Sequence, residues 1–251
     1  MSDIVTAQVN IPAADGVIDA HAYHPAGSGA WPAVLLFTDI RGVRPVFEAM
    51  GQRLAAHGYA VLLPNTYYRG GRAPVVDPTL PVADEAAKAR RAVLRAALTP
   101  EALRADILLL LDFLAAQPYV HGTKVGVAGY CMSGSFALRA AADFPNRIAA
   151  AASFHGGSLA TEAPDSPHLH AGQIKAQLYF GHAEADASMP PEAIARLDSA
   201  LTQAGVKFTS EVYAARHGFA VADGPAYDEA AAERHWQSLL GLFDAALKQP
   251  V

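Results

Sequence analysis

The sequence predicts an α/β protein with a mostly parallel central sheet covered by helices on both faces, and three observations lead there. Short apolar runs alternate with segments of helical periodicity from residue 33 to the end of the chain. The runs at 33–37, 60–63 and 125–128 are apolar without interruption, as expected of parallel strands buried on both faces. The chain has 251 residues, 52% of them apolar, and contains no Pro/Gly/Ser linker or internal repeat, so one domain over residues 1–251 is expected.

The elements follow in order. Residues 4–11 and 17–23 read as two β segments around the turn-forming Asp15 and Gly16, an antiparallel edge hairpin. The strand at 33–37 leads to a helix with Val46, Met50 and Leu54 on one face, closed by Gly58. After the strand at 60–63, residues 65–99 break the rhythm. They hold the loop from Tyr67 to Arg72 and an Ala-rich helical stretch, 84–98, with a thin apolar stripe, and read as an excursion over the strand ends. A helix carrying Leu103, Ile107, Leu110, Leu111 and Leu114 stops before Pro118. The strand at 125–128 runs into a helix over 132–144, and strands follow at 148–154 and 177–180. A helix bearing Ile194, Leu197 and Leu201 ends at Gly205. The strand at 208–213 precedes a last helix that buries Trp236, Leu239, Leu240, Phe243 and Leu247. In such a sheet reactive groups belong in the loops at the carboxyl ends of the strands.

Composition excludes several classes of function. With 19 Lys and Arg against 24 Asp and Glu, a net charge of −5 and no basic cluster, neither nucleic acid nor an anionic membrane is an expected partner. The single cysteine, Cys131, excludes an intrachain disulfide and any site built on several thiolates. The first residues carry neither a basic nor an apolar signal region, and no apolar run approaches a membrane span, so a soluble cytoplasmic protein is expected.

The strongest local signal is the 125–134 stretch, an apolar strand that runs through Gly129, Tyr130, Cys131, Met132, Ser133 and Gly134 into a helix. A nucleophile on a tight strand-to-helix turn requires small residues two before and about two after it, and Gly129, Ser133 and Gly134 supply them. A cysteine there lies at a helix N-terminus, which favours thiolate, and the Met132 amide can form half of an oxyanion hole. An acid and then a histidine should follow at later strand ends. Asp186 comes after the strand at 177–180, and His217 after the strand at 208–213. Ser133 and Ser135 do not fit a Gly-x-Ser-x-Gly pattern, so a serine nucleophile is not expected.

The motifs at 129–134, 181–186 and 213–219, with those at 38–43 and 63–69, resemble the dienelactone hydrolase family of the α/β-hydrolase fold. The resemblance runs from about Trp31 to the last helix. It implies a Cys-His-Asp triad that cleaves small esters or lactones through an acyl-thioester, without a cofactor or metal. Carried over, Cys131 is the nucleophile, His217 the base and later acid, and Asp186 the group that orients the imidazole. The amides of Ile40 and Met132 would hold the oxyanion. Asp39 stands where the family has a carboxylate, usually Glu, that contacts the resting thiol. Family members grip a substrate carboxylate with two arginines. Arg69 matches the first, Val221 occupies the place of the second, and Arg41, Arg72 or Arg216 are the candidates to compensate.

Tyr67, Tyr68 and His155 are candidate pocket residues. His155-Gly156-Gly157 differs from the lipase oxyanion motif in following the nucleophile rather than preceding it. His168 and His170, with His182, lack the helix or carboxylate frame of a metal site and read as surface residues. Two other functions compete: a non-catalytic small-molecule binding protein on the same fold, prompted by Asp39 and Val221, and a redox-sensing thiol at Cys131.

Overall fold

A computed structural model of the chain describes residues 3–248. These fall into two compact units that meet at residues 123 and 124.

In the first unit, β1 (Ile4–Ala13) and β2 (Gly16–Pro25) pair antiparallel in a hairpin whose register runs from Ile4 opposite Pro25 to Ala13 opposite Gly16. β2 also pairs antiparallel with β4 (Ala60–Pro64), and β4 pairs parallel with β3 (Trp31–Phe37). Residues 33–37 and 60–63 are buried throughout, which explains their uninterrupted apolar sequence. α1 (Pro45–Ala56) begins at a proline, buries Phe47, Met50 and Leu54, and is followed by Gly58 at φ +84°. Its core stripe therefore turns on Phe47, while Val46 is only half-buried. Gly51 admits the Tyr23 ring: a Cβ at Gly51 would lie 2.7 Å from a Tyr23 ring carbon.

The excursion forms α2 (Glu85–Ala96), where the Asp84 carboxylate accepts the Ala87 amide at 2.8 Å. α3 (Pro100–Ala115) follows, with Thr99 as its cap and a buried stripe of Leu103, Ile107, Leu110, Leu111 and Leu114. That stripe includes one acid, Asp106. Its carboxylate receives Arg69 Nη1 at 2.7 Å and Nη2 at 2.9 Å, while Arg69 Nε donates to Asp15 at 2.5 Å. The Tyr68 hydroxyl lies 2.6 Å from Asp15 Oδ1 and 2.8 Å from Asp106 Oδ1. The loop after β4 is thus fastened to α3 and to the hairpin turn by one guanidinium and two carboxylates.

In the second unit, β5 (Val120–Tyr130), β6 (Ile148–Phe154), β7 (Gln177–Ala183) and β8 (Phe208–Tyr213) pair parallel in that order. β5 starts five residues before the predicted apolar run because its first part is exposed and polar. α4 (Gly134–Asp143) and α6 (Glu229–Leu247) pack on β6, and α5 (Pro191–Gln203) packs on the 3-10 segment Pro167–Gln173. α6 buries His235, Trp236, Leu239, Leu242 and Phe243. Leu242 takes the place expected for Leu240, a small rotation of the helix about its axis. No helix among the described residues is long and apolar enough to cross a membrane.

Removing Asp106 leaves the half-buried Arg69 guanidinium with Asp15 alone and two of its nitrogens unpaired, a loss on the order of 2 kcal/mol. Asp106→Ala is therefore expected to lower the urea midpoint markedly, and Arg69→Met/Asp106→Leu to recover most of the loss. A double variant no more stable than the single one would show that the pair is not what fastens the loop.

Candidate active site

The carboxyl ends of β5, β6, β7 and β8 carry Cys131, His155, Asp186 and His217 in turn. Cys131 ends β5 with φ +56°, in the left-handed region that side chains other than glycine adopt at a cost of roughly 1–3 kcal/mol. The surroundings compel this turn. A Cβ at Gly129 would lie 2.0 Å from the Ser133 carbonyl oxygen, and one at Gly134 would lie 2.3 Å from Ser153 Oγ and 2.7 Å from Gly156 Cα. Ser133 Oγ accepts the Tyr130 amide at 2.9 Å and donates to the Tyr130 carbonyl at 3.1 Å, closing the turn across its base. The Gly157 amide donates to the Cys131 carbonyl at 3.2 Å. A short 3-10 turn, Cys131–Ser133, then leads into α4, so the regular helix begins two residues later than predicted.

Asp186 and His217 are brought to this turn by two linked loops. The Glu184 amide donates to the carbonyls of Tyr213 and Ala215, which ties the loop after β7 to the loop after β8. Phe219 stacks on Tyr213 with ring centroids 4.7 Å apart and anchors the far side of His217. His217 Nδ1 lies 2.6 Å from Asp186 Oδ2, and Nε2 lies 3.1 Å from Cys131 Sγ. The other oxygen of Asp186 accepts the Ser188 amide at 2.8 Å and the Ser188 hydroxyl at 2.7 Å.

These contacts set the charges. Burial alone would raise the Asp186 carboxyl, but the hydrogen bonds from His217 and from the Ser188 side chain and backbone bring it down to about 2. Burial alone would lower His217. The Asp186 hydrogen bond outweighs it and, with the bond to Cys131 and the charges of both partners, lifts the imidazole to about 10. The arrangement favours an imidazolium held between the Asp186 carboxylate and the Cys131 sulfur, with its Nε2 proton aimed at the sulfur.

The other predicted residues sit as follows. Met132 lies in the 3-10 turn after the cysteine, and Ser135 Oγ donates to its carbonyl at 2.9 Å. Ile40 lies in the 38–43 loop, where its carbonyl accepts the Tyr67 hydroxyl at 3.1 Å. Asp39 is expected as a carboxylate for the thiol, but both its oxygens are taken by Arg44, each at 2.7 Å, and Oδ1 also accepts the Arg41 amide at 2.9 Å. Its evident work is to pin that loop. Arg69 is expected to grip a substrate carboxylate, yet all three of its nitrogens are already engaged by Asp106 and Asp15. Tyr68 belongs to the same cluster and Tyr67 is buried, so neither presents an open pocket wall. Arg41 donates to the Pro78 carbonyl, Arg72 to Asn10, and Val221 is buried.

His155 is only 1% exposed and lines no open surface. His168 and His182 are buried rather than at the surface: His168 Nδ1 pairs with Ser166 Oγ at 2.8 Å, and His182 stacks on Phe180. No group of three metal-ligating side chains occurs among the described residues. Ser188 and the hydroxyl of Ser133 escaped sequence reasoning. Ser188 had a signal, since a serine two residues after an aspartate commonly bonds back to it.

Comparison with known proteins gives one consistent picture. The sequence profile of the dienelactone hydrolase family matches residues 18–247. Carboxymethylenebutenolidase of Rhodococcus opacus is 31% identical over 198 residues, 78% of this chain and 72% of that protein. The crystal structure of dienelactone hydrolase from Anabaena variabilis superposes with a TM-score of 0.70 at 19% identity, covering 97% of this chain and 99% of that one. A dienelactone hydrolase-like promiscuous phosphotriesterase from metagenomic libraries superposes with a TM-score of 0.81 at 23% identity, covering 97% and 99%. The two structural likenesses establish the α/β-hydrolase fold.

The charge state can be tested directly. An imidazole lifted from 6.5 to about 10 contributes its full stabilisation below pH 6.5 and loses it as pH climbs toward 10. An aspartate lowered from 3.8 to about 2 contributes fully above pH 3.8 and loses it as pH falls toward 2. Asp186 and His217 titrate as a coupled pair, so the site should stabilise the fold most between these limits. NMR of the His217 ring is expected to show imidazolium at pH 8. A neutral ring at that pH, with a midpoint near 6.5, would contradict the ion pair.

Proposed function

The chain belongs to the dienelactone hydrolase family, and from that premise we propose that it hydrolyses small uncharged esters and lactones through a thioester on Cys131. The observation that carries this reading is the continuous line from Asp186 Oδ2 through His217 to Cys131 Sγ, at 2.6 and 3.1 Å. A thiolate paired with an imidazolium is a nucleophile ready at neutral pH.

The sulfur attacks the carbonyl carbon, and the carbonyl electron pair moves to oxygen. The backbone amide of Met132, in the turn after the cysteine, is the group that holds the oxyanion. As the intermediate collapses, the ester C–O bond breaks and His217 gives its Nε2 proton to the departing alkoxide. His217, now neutral, takes a proton from water, and the hydroxide adds to the thioester. The C–S bond then breaks, the acid leaves, and thiolate and imidazolium are restored. Asp186 holds the tautomer in which Nδ1 carries hydrogen throughout.

At the two places where the family resemblance expects an arginine on the substrate carboxylate no free cation stands, whereas Arg216, the third candidate to compensate, is exposed beside His217. Arg69 is neutralised by two carboxylates, Arg44 by Asp39, and Val221 offers no charge. A carboxylate on the substrate would have to displace an internal carboxylate to reach Arg69, so neutral acyl groups fit this chain better.

Turnover of a neutral aryl acetate is expected to fall by about three orders of magnitude in Cys131→Ala. Mass spectrometry of the native enzyme quenched during turnover should show one acyl group on Cys131. The neutral ester should be preferred over its hemisuccinate analogue by about tenfold in kcat/KM, a ratio that Arg69→Met/Asp106→Leu leaves within a factor of about two. Preference for the anionic ester, abolished in the double variant, would assign Arg69 to the substrate instead.

A further inference from the structure

His155 is a buried titratable side chain beside the triad that the mechanism above does not use. Its backbone, at φ +39°, leaves β6 and donates to the Gly181 carbonyl at 2.7 Å, which fixes the ring's position through the main chain. Neither ring nitrogen has a hydrogen-bond partner among the described residues. The ring packs edge-to-face on His217, with centroids 5.1 Å apart and planes at 61°, and on Phe219, at 5.2 Å and 80°. Tyr130, the residue before the nucleophile, lies tilted against it at 6.0 Å. Burial first, then the charges of His217 and His235, keep the His155 imidazole well below 6.5, so it stays neutral and does not compete for the proton that His217 carries.

Both nitrogens of His217 are engaged, so His155 reaches it only ring against ring. Two hydrogen bonds fix two points of the His217 imidazole and leave it free to rock about the line joining them. A third contact, on the ring itself, is needed to stop that motion, and a neutral aromatic ring beside an imidazolium also attracts it. We propose that His155 is a positioning residue for His217, and that it matters most while Cys131 is acylated. In the free enzyme the sulfur holds Nε2. Once the sulfur carries an acyl group that anchor is gone, and the orientation of the base that must activate water rests on Asp186 and His155.

The proposal rests on the reading of Cys131 as nucleophile and His217 as base. The experiment is burst kinetics on a neutral p-nitrophenyl ester with His155→Leu, which keeps the volume but removes the aromatic ring, and His155→Phe, which keeps the ring. His155→Leu is expected to retain the acylation burst within a factor of about two while the steady-state rate falls about tenfold, so kcat and KM drop together and acyl-enzyme accumulates by mass spectrometry. His155→Phe is expected to restore the steady-state rate to within a factor of about three. If His155→Leu does not fold by circular dichroism, His155→Met serves in its place. Equal loss in burst and steady state, no loss in either, or a Phe variant as slow as the Leu variant would each overturn the proposal. Cys131→Ala is measured alongside: turnover surviving in that variant would overturn the underlying reading, whereas an inactive Cys131→Ala without the expected His155 pattern would overturn only the positioning role.

Discussion

A cysteine held in left-handed backbone at the end of a buried strand is the constraint on which the rest of the second unit turns. An L-residue does not settle there on its own account. The conformation persists because the ladder of β5 against β6 ends at Tyr130 and α4 starts immediately after, leaving the chain three residues in which to reverse. Gly129 and Gly134 are the places where the reversal brings backbone against backbone, and Ser133 closes it with two hydrogen bonds. The outcome is a sulfur lifted off the strand end toward the imidazole, a geometry set by sterics before electrostatics enters.

The first unit shows the opposite use of charge. Two of its arginines are neutralised internally: Arg44 by Asp39 in the loop before α1, Arg69 by Asp106 and Asp15 across the loop after β4. These side chains pin the loop before α1 and fasten the loop after β4 to α3 and to the hairpin turn. In the second unit, by contrast, one hydrogen-bonded line runs from Asp186 through His217 to Cys131. The difference follows from burial: a guanidinium with bidentate carboxylates is satisfied and inert, whereas an imidazolium bridging a carboxylate and a sulfur has a proton it can give away.

Much of this was legible in the amino-acid pattern, and the limits are physical. Strands 148–154 and 208–213 read correctly because apolar runs bounded by turn residues are a local property. That Cys131, Asp186 and His217 follow strand ends in this order was legible because each comes shortly after an apolar run. What could not be read was partner choice at a distance. Asp106 lies 37 residues from Arg69 and Asp15 lies 54, and nothing local to any of them announces the pairing. The same holds for His155, which is packed against three rings on two other segments. Helix phase failed by one position at Val46 against Phe47 and by two at Leu240 against Leu242, where two apolar residues compete and only the facing surface decides.

The clamp around Arg69 also bears on how such a protein could change its diet. A guanidinium, the raw material of an anion receptor, is already present, and what hides it is a pair of carboxylates that simultaneously anchor α3. Freeing that guanidinium for an acidic compound would therefore release α3 from the loop after β4.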